Sequence, residues 1–329
     1  MVTMREVALE AGVSQSTVSF VLNNRRASNI SDETRQRVRQ VATRLGYSPN
    51  RIARALALGR TEMVGLWIRS LHSTYYTQFV HDIDSVITQS AYKLMVSRNV
   101  AVAGAPEDQD FPVSSVDGIV AVDIPGTVEH FVRTHPKTPL VQVGTNHRHP
   151  DGDFVLVELA TATRDAIDHL QSLGRRRIAY VADVPTLEVG GGHRIDIYRE
   201  RMQSAGQPEI MIETEGQSQN QAYEAVKKAV GSGIEVDAIM CLNDDMAAGA
   251  NRALHELGVR IPHDIALVGC DNVVYAEYLH PALSTIEHPS RQVCALAWEF
   301  LQKRMVDPDL PPQQVVLPAT FVARASTLG

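Results

Sequence analysis

The chain has 329 residues, 44% of them apolar and 21% charged, enough to bury ordinary hydrophobic cores and to form about two domains. This excludes a disordered tail or a minimal stapled scaffold, and no run of about 18 apolar residues is present to span a bilayer. The first residues, MVTMREVALEAG, carry acids where a secretory signal has a basic and then an apolar stretch, so the sequence reads as soluble and cytoplasmic. Cys241, Cys270 and Cys294 are widely spaced in apolar segments without a CxxC partner, and read as reduced core residues.

The net charge of −7 conceals a division. Residues 1–60 hold ten arginines against four acids, a surplus of +6, whereas the other 21 basic and 34 acidic residues leave the remainder at −13. That asymmetry is the footprint of a nucleic-acid-binding module joined to an acidic body. A merely solvated basic face is the plainer alternative.

In chain order, Met4 to Ala11 places Val7, Ala8 and Ala11 at helical spacing, Gly12 supplies a tight turn, and Val13 is an apolar plug. Ser14 reads as the N-cap of a helix from Gln15 to Asn23 that buries Val18, Val21 and Leu22 and exposes Gln15, Ser16, Ser19 and Phe20. Ser31 caps a third helix with a core face of Val38, Val41, Ala42 and Leu45, Thr34 standing where an acid would complete a capping box, and Gly46 ends it. The major groove admits one helix whose N-terminal residues reach base edges, which places Gln15 and Ser16 as readers. Thr17, Ser19 and Asn23 suit phosphate contacts. Phe20 either meets a thymine methyl or packs within the head.

The segments AGVSQSTVSFVLN, SDETRQRV and LGYSPNRIARAL resemble the DNA-binding head and hinge of the LacI/GalR family of bacterial transcriptional regulators. The resemblance implies further DNA contacts at Thr3, Met4, Arg26, Tyr47, Asn50, Arg51 and Arg54. It also implies a hinge helix that enters the minor groove, with Ala53 allowing close approach and Leu56 wedging between base pairs. The bland alternative for this segment is a linker with one exposed leucine.

From Met63 onward, apolar runs alternate with amphipathic stretches, as in parallel α/β units. Strands are expected at Val64–Ile68, Lys93–Ser97, Gly118–Val122, Leu140–Val143, Ile178–Val181, Ala238–Leu242, Ile265–Gly269 and Thr285–Glu287. Helices are expected at Gln78–Ser90, Thr163–Leu173, Arg194–Ala205, Ala222–Val230, Asp245–Leu257 and Arg291–Arg304. Open parallel sheets bind ligands beyond the carboxyl ends of their strands, which singles out Arg69, Arg98, Asn243 and Asp271. Wet strand ends are the alternative for any one of them.

The resemblance continues through Asp117-Gly118-Ile119, Asn243-Asp244-Asp245-Met246-Ala247, Val268-Gly269-Cys270-Asp271-Asn272 and Pro281-Ala282-Leu283-Ser284-Thr285-Ile286. It implies an all-α helix-turn-helix head plus an α/β periplasmic-binding-protein-like body of two parallel-sheet subdomains. Boundaries follow as a head at 1–47, hinge and linker at 48–60, and an effector-binding and dimerisation domain at 61–329. Its N-subdomain would take 61–160 and 291–320, its C-subdomain 161–290 and 321–329. Arg194, Asn243 and Asp271 would hold effector hydroxyls or a carboxylate, and Tyr75 and Tyr76 match aromatic positions that pack on a ring; core or dimer surface is the alternative for the tyrosines.

Departures from the family pattern are Gly144, where sugar-binding members often carry Asp, Glu158 after Val157 in place of Asp-Asn, and Ile197 in place of glycine. The stretch Asn99 to Ser115, with Pro106 and Pro112, is short, so its customary helix is absent or a single turn. With Arg69, Arg98 and Arg194 at the cleft, a phosphorylated or carboxylated effector becomes an option beside a sugar.

The leading function is thus a homodimer, or a tetramer, that binds a pseudo-palindromic operator in double-stranded DNA and represses transcription under control of a small sugar, sugar derivative or anionic metabolite. A sugar-modifying or hydrolytic enzyme is the alternative, but GxSxG, HExxH and P-loop motifs are all missing and the run Gly190-Gly191-Gly192 lacks a strand-to-helix context. His147, His149, Asp151 and Asp153 have metal-compatible spacing but read as a solvated loop. No enzyme activity, cofactor, metal or membrane association is expected.

Overall fold

The computed structural model describes residues 2–22, 30–48, 55, 58–98, 115–145, 151–188 and 192–328. These divide into two compact units, Met1–Glu62 and Met63–Gly329. In the first, α1 (Met4–Ala11), α2 (Gln15–Leu22) and α3 (Asp32–Leu45) close on a core that includes Val7, Val18, Val21, Val38 and Ala42.

Local chemistry sets the ends of these helices. Thr3 and Glu6 form a capping box, with Thr3 N donating to Glu6 Oε2 at 2.7 Å. Ser14 Oγ accepts from Thr17 N at 3.1 Å, and Ser31 Oγ from Thr34 N at 3.3 Å. The Thr34 hydroxyl lies 3.0 Å from Ser31 Oγ, where a capping-box acid would otherwise reach. Gly12 and Gly46 stop α1 and α3 at φ 65° and 66°, a left-handed backbone that a Cβ disfavours. Arg37 Nε then ties α3 to the Ala11 carbonyl at 3.1 Å.

The second unit carries two parallel sheets. The larger contains β1 (Met63–Ile68), β2 (Lys93–Arg98), β3 (Gly118–Val122), β4 (Leu140–Gly144), β5 (Asp153–Glu158) and β11 (Gln314–Pro318), in the order β11-β5-β4-β3-β1-β2. The smaller contains β6 (Ile178–Asp183), β7 (Ile210–Thr214), β8 (Ala238–Cys241) and β9 (Ala266–Val268), in the order β7-β6-β8-β9. An antiparallel pair, β10 (Thr285–Glu287) and β12 (Thr320–Val322), completes the strands described.

Strand periodicity explains the layers around the larger sheet. Val64, Leu66 and Ile68 point to one face, against Phe79 and Ile83 of α4 (Thr74–Ile87) and Trp298 and Leu301 of α11 (Ser290–Val306). Trp67, Ile119 and Ala121 point to the other, against Val128 and Phe131 of α5 (Pro125–Thr134). Covered on both faces, these strands read as continuous apolar runs. The smaller sheet is packed by α6 (Ala160–Ser172), α8 (Gly192–Ser204), α9 (Gln219–Gly231) and α10 (Asp244–Glu256), through residues such as Ile167, Tyr198, Val226 and Leu254.

Several elements differ from the sequence reading. β5, β7, β11, β12, α5 and the short α7 (Val184–Glu188) are additions. The β5 run is bracketed by two acids that mimic loop residues, yet both are used in the fold. Asp153 is buried against Arg304, and Glu158 Oε1 accepts from Thr161 N at 3.1 Å at the start of α6. Asp153 is therefore not part of a solvated metal-compatible loop; His147 and His149 lie outside the described residues. α4 starts at Thr74 rather than Gln78, which puts Tyr75 and Tyr76 in its first turn. Ile197, read as a departure, is buried in the core of the smaller sheet. The segment 99–114 lies outside the described residues, and with it the question of its helix. Among the described residues no helix is long and apolar enough to cross a membrane. Cys241, Cys270 and Cys294 are buried free thiols.

Candidate functional site

On the head, Gln15 and Ser16 are exposed at the start of α2, Phe20 is 40% exposed, and Ser19 is half-buried. Val18 and Val21 are buried behind them, while Leu22, expected in the core, is half-buried. Ser14 Oγ sits 2.7 Å from Ser16 Oγ and 2.9 Å from Thr17 Oγ1, so these hydroxyls are partly engaged in fixing the helix start. Thr3 is occupied with Glu6, and Met4 and Tyr47 pack against the head core. Asn23, Arg26, Asn50, Arg51, Ala53, Arg54 and Leu56 lie outside the described residues.

In the body, a cavity of about 270 Å³ opens between the carboxyl ends of the two sheets. Arg69 follows β1, Asp123 follows β3, and Gly144 and Thr145 end β4; α4 adds Tyr75 and Tyr76. From the other side come Thr186, Arg194, Gln217, Asn243, Asp271 and His288. Each sheet thus delivers both a cation and an acid to the same space.

The groups are held by their own partners. Arg194 Nη1 donates to the Leu242 carbonyl at 2.6 Å and to Cys270 Sγ at 3.2 Å. Asn243 Oδ1 accepts from Met246 N at 2.7 Å, so its oxygen caps α10 and its amide nitrogen is what it can offer a ligand. Gln217 Nε2 donates to Asp183 Oδ1 at 2.8 Å and to Thr186 Oγ1 at 3.1 Å. Tyr76 OH donates to Asp123 Oδ2 at 3.3 Å. The rings of Tyr75 and Tyr76 meet edge to face with centroids 5.1 Å apart, and Tyr75 lies 5.2 Å from the His288 ring.

Burial dominates the electrostatics. It pushes the Asp271 carboxyl well above its usual range, Asp244 adding to the effect and Arg194 opposing it. It raises Asp123 as well, against the Tyr76 hydrogen bond, Arg194 and Arg69. His288 is pushed down to about 3 by burial and then by Arg194, so its imidazole is neutral near pH 7. Its Nε2 lies 3.4 Å from Asp271 Oδ1, and its Nδ1 has no hydrogen-bond partner among the described residues. Burial also raises the Cys270 thiol, which leaves it a poor nucleophile.

Asp271 itself adopts φ 116°, a backbone that a non-glycine residue holds only under constraint. The constraint is visible: Asp271 N donates to the Ile286 carbonyl at 2.8 Å, and buried Asp244 grips the same loop through Val273 N at 2.9 Å and Thr285 Oγ1 at 2.7 Å. Cys270 Sγ, Asp271 and His288 place ligand atoms within 4.8 Å of one another, the one such group among the described residues. The Arg194 guanidinium on Cys270 Sγ opposes a cation there, and the trio suits hydrogen bonding better than metal coordination.

Of the residues singled out from sequence, Arg69, Tyr75, Tyr76, Arg194, Asn243 and Asp271 line the cavity. Arg98 does not: it is exposed at the end of β2, which is an edge strand of the larger sheet. Sequence reasoning passed over Asp123, Gln142, Gln217 and His288. Asp123 follows its strand as Arg69 follows β1, so the same strand-end rule reaches it.

Comparison with known proteins accords with both units. Residues 3–50 match the family described as bacterial regulatory proteins, lacI family, and residues 167–327 match the periplasmic binding protein-like domain. Catabolite control protein A of Staphylococcus xylosus is 28% identical over 340 residues, covering 99% of each chain. A crystal structure of the Lac repressor dimer bound to operator and the anti-inducer ONPF superposes with a TM-score of 0.81 at 25% identity, over 100% of this chain and 99% of that one. The complex of the transcriptional regulator CelR with cellobiose shares the fold, with a TM-score of 0.68 at 24% identity over 99% of this chain and 100% of that one. These relatives are regulators and not enzymes. The chain thus carries a LacI-family helix-turn-helix head joined to a periplasmic-binding-protein-like body with a cleft between two parallel sheets, the arrangement of the DNA-binding transcriptional regulators it is similar to.

Proposed function

We propose that the chain is a homodimeric repressor whose affinity for a pseudo-palindromic operator is set by a small polyhydroxylated effector bound in the body cleft. One observation carries the ligand part: both sheets supply hydrogen-bonding groups to a single cavity. A ligand that touches Asp123 on one side and Arg194 and Asp271 on the other therefore favours one spacing of the sheets. Arg69 and Arg194 share the cavity with the carboxyl groups of Asp123 and Asp271, and with Arg98 outside the lining the case for a phosphorylated or carboxylated effector weakens. A hydroxyl both donates to a carboxylate and accepts from a guanidinium, whereas an ionised carboxylate only accepts. The cellobiose held by CelR fits this class.

Effector contacts are assigned to Arg69, Tyr75, Tyr76, Arg194, Asn243 and Asp271. On DNA, Gln15 and Ser16 read bases, Thr17 and Ser19 fix register on phosphates, and the hinge at 48–60, with Leu56, transmits the state of the body. Two-fold pairing of such heads requires an operator with two matching half-sites.

Selection from a random DNA pool at about 0.1–0.2 M salt, where non-specific phosphate binding fades, tests this. An inverted repeat is the expected product. Gln15→Ala then lowers discrimination at one position of each half-site by about 1–3 kcal/mol and leaves the others unchanged. Recovery of no motif overturns the reading.

A further inference from the structure

We propose that Asp123 is the residue that selects the effector from the side of the larger sheet, and that Gly144 makes room for its carboxylate. The inference rests on the effector reading above and adds a specificity: neutral hydroxyls at this wall of the cleft, not an anionic group.

Neighbouring strands bring the two residues together. Val122 of β3 pairs with Val143 of β4, so Asp123 and Gly144 follow side by side at the carboxyl edge of the sheet, and Asp123 N donates to the Val143 carbonyl at 3.0 Å. Asp123 holds φ 53°, the left-handed region in which non-glycine residues are uncommon and cluster at functional sites. In this conformation its Oδ1 lies only 2.9 Å from where a Cβ on residue 144 would stand. Any side chain at 144 would force the carboxylate to move. Glycine at the end of β4 and strained backbone at the end of β3 are therefore two halves of one arrangement.

The carboxylate is aimed as well as accommodated. Tyr76 OH donates to Oδ2 at 3.3 Å, and the Tyr76 ring is braced edge to face by Tyr75. An ionised carboxylate offers about four acceptor positions, so hydroxyl donors from a ligand still find acceptors after Tyr76 is served. Arg69, at the end of the adjoining strand β1, lines the same wall and offers donors to a neighbouring hydroxyl oxygen. A phosphate or carboxylate in this position meets the charge of Asp123 and is rejected.

The test uses the full chain and calorimetric titration with ribose, lactose, cellobiose, glucose and glucose 6-phosphate. At least one neutral sugar is expected to bind more tightly than the phosphorylated one. Asp123→Asn, which preserves shape, should weaken that binding roughly 10- to 100-fold, and Gly144→Ala should weaken it similarly. In the Asp123→Asn background Gly144→Ala should add little, because its effect runs through the carboxylate. Thermal unfolding of each variant establishes that the body remains folded. Equal binding by wild type and Asp123→Asn overturns this inference and leaves the effector reading standing, as does an undiminished Gly144→Ala loss in the double variant. Preference for glucose 6-phosphate overturns it too. Binding of none of the sugars overturns the effector reading and this inference with it.

Discussion

Replacing Arg304 with methionine is expected to cost the body about 3–5 kcal/mol of stability, the penalty for leaving a buried charge without its partner. The Asp153 side chain is 1% exposed at the start of β5, and the Arg304 side chain 16% exposed near the end of α11. Arg304 grips Asp153 with two parallel bonds, Nε to Oδ2 and Nη2 to Oδ1, both 2.9 Å. It also donates to the carbonyls of Pro308 at 2.9 Å, Leu310, and Pro311 at 3.2 Å, so one guanidinium organises the turn from α11 into β11. Among the described residues only Gln313 then remains to satisfy Asp153, through its backbone N–H at 2.8 Å and its Nε2 at 3.4 Å. Urea unfolding measures the loss, and adding Asp153→Asn to Arg304→Met should recover part of it, because the orphaned charge is then gone. A loss below about 1 kcal/mol, the scale of an exposed pair, would show that solvent reaches the site.

Asp245→Ala is expected to weaken sugar binding in the cleft roughly 30- to 150-fold, the equivalent of about 2–3 kcal/mol from hydrogen bonds to a charged group. Asp245 sits in the first turn of α10 beside the smaller sheet, yet it holds the first residue of α4 beside the larger one: Thr74 N donates to Oδ2 at 3.0 Å and Thr74 Oγ1 to Oδ1 at 2.7 Å. Gln219 Nε2 at 2.8 Å and Tyr275 OH at 2.6 Å donate to Oδ1 from the smaller sheet's side. Val274 N adds a second link across the cleft by donating to Gln78 Oε1 at 3.2 Å. This clasp touches no ligand position, so its removal acts on the balance between closed and open arrangements. Thr74→Val, which removes one of the crossing bonds and keeps the carboxylate, should move affinity in the same direction by less. Sugar affinity unchanged in Asp245→Ala would show that the clasp does not bear on closure.

The three helices of the head were legible because their signals are local. Ser14 and Ser31 cap helices within three residues, and Gly12 and Gly46 mark the stops by a backbone only glycine adopts freely. Strands β3 and β10 were readable from their apolar runs between turn signals, whereas β5 and β11 were not, since their meaning depends on Asp153 meeting Arg304 across 151 positions. The cleft shows the same limit. The strand-end rule finds Arg69 and Asp271, but it also picks Arg98, because nothing in the local sequence says that β2 lies at the edge of the sheet. Gly144 was visible as a departure from the family pattern; that Asp123 fills the space beside it depends on strand order and on a left-handed φ. His288 is neutral because it is buried beside Arg194, and it lines the cleft beside Asp271 and Tyr75, a neighbourhood assembled from distant segments.

Coupling between the cleft and DNA is tested most directly by the operator affinity of the whole chain, measured at fixed salt with and without a sugar shown to occupy the cleft. A change of roughly 5- to 150-fold is expected, the range that coupling of about 1–3 kcal/mol produces. Saturation of the cleft with no change in operator affinity would contradict it.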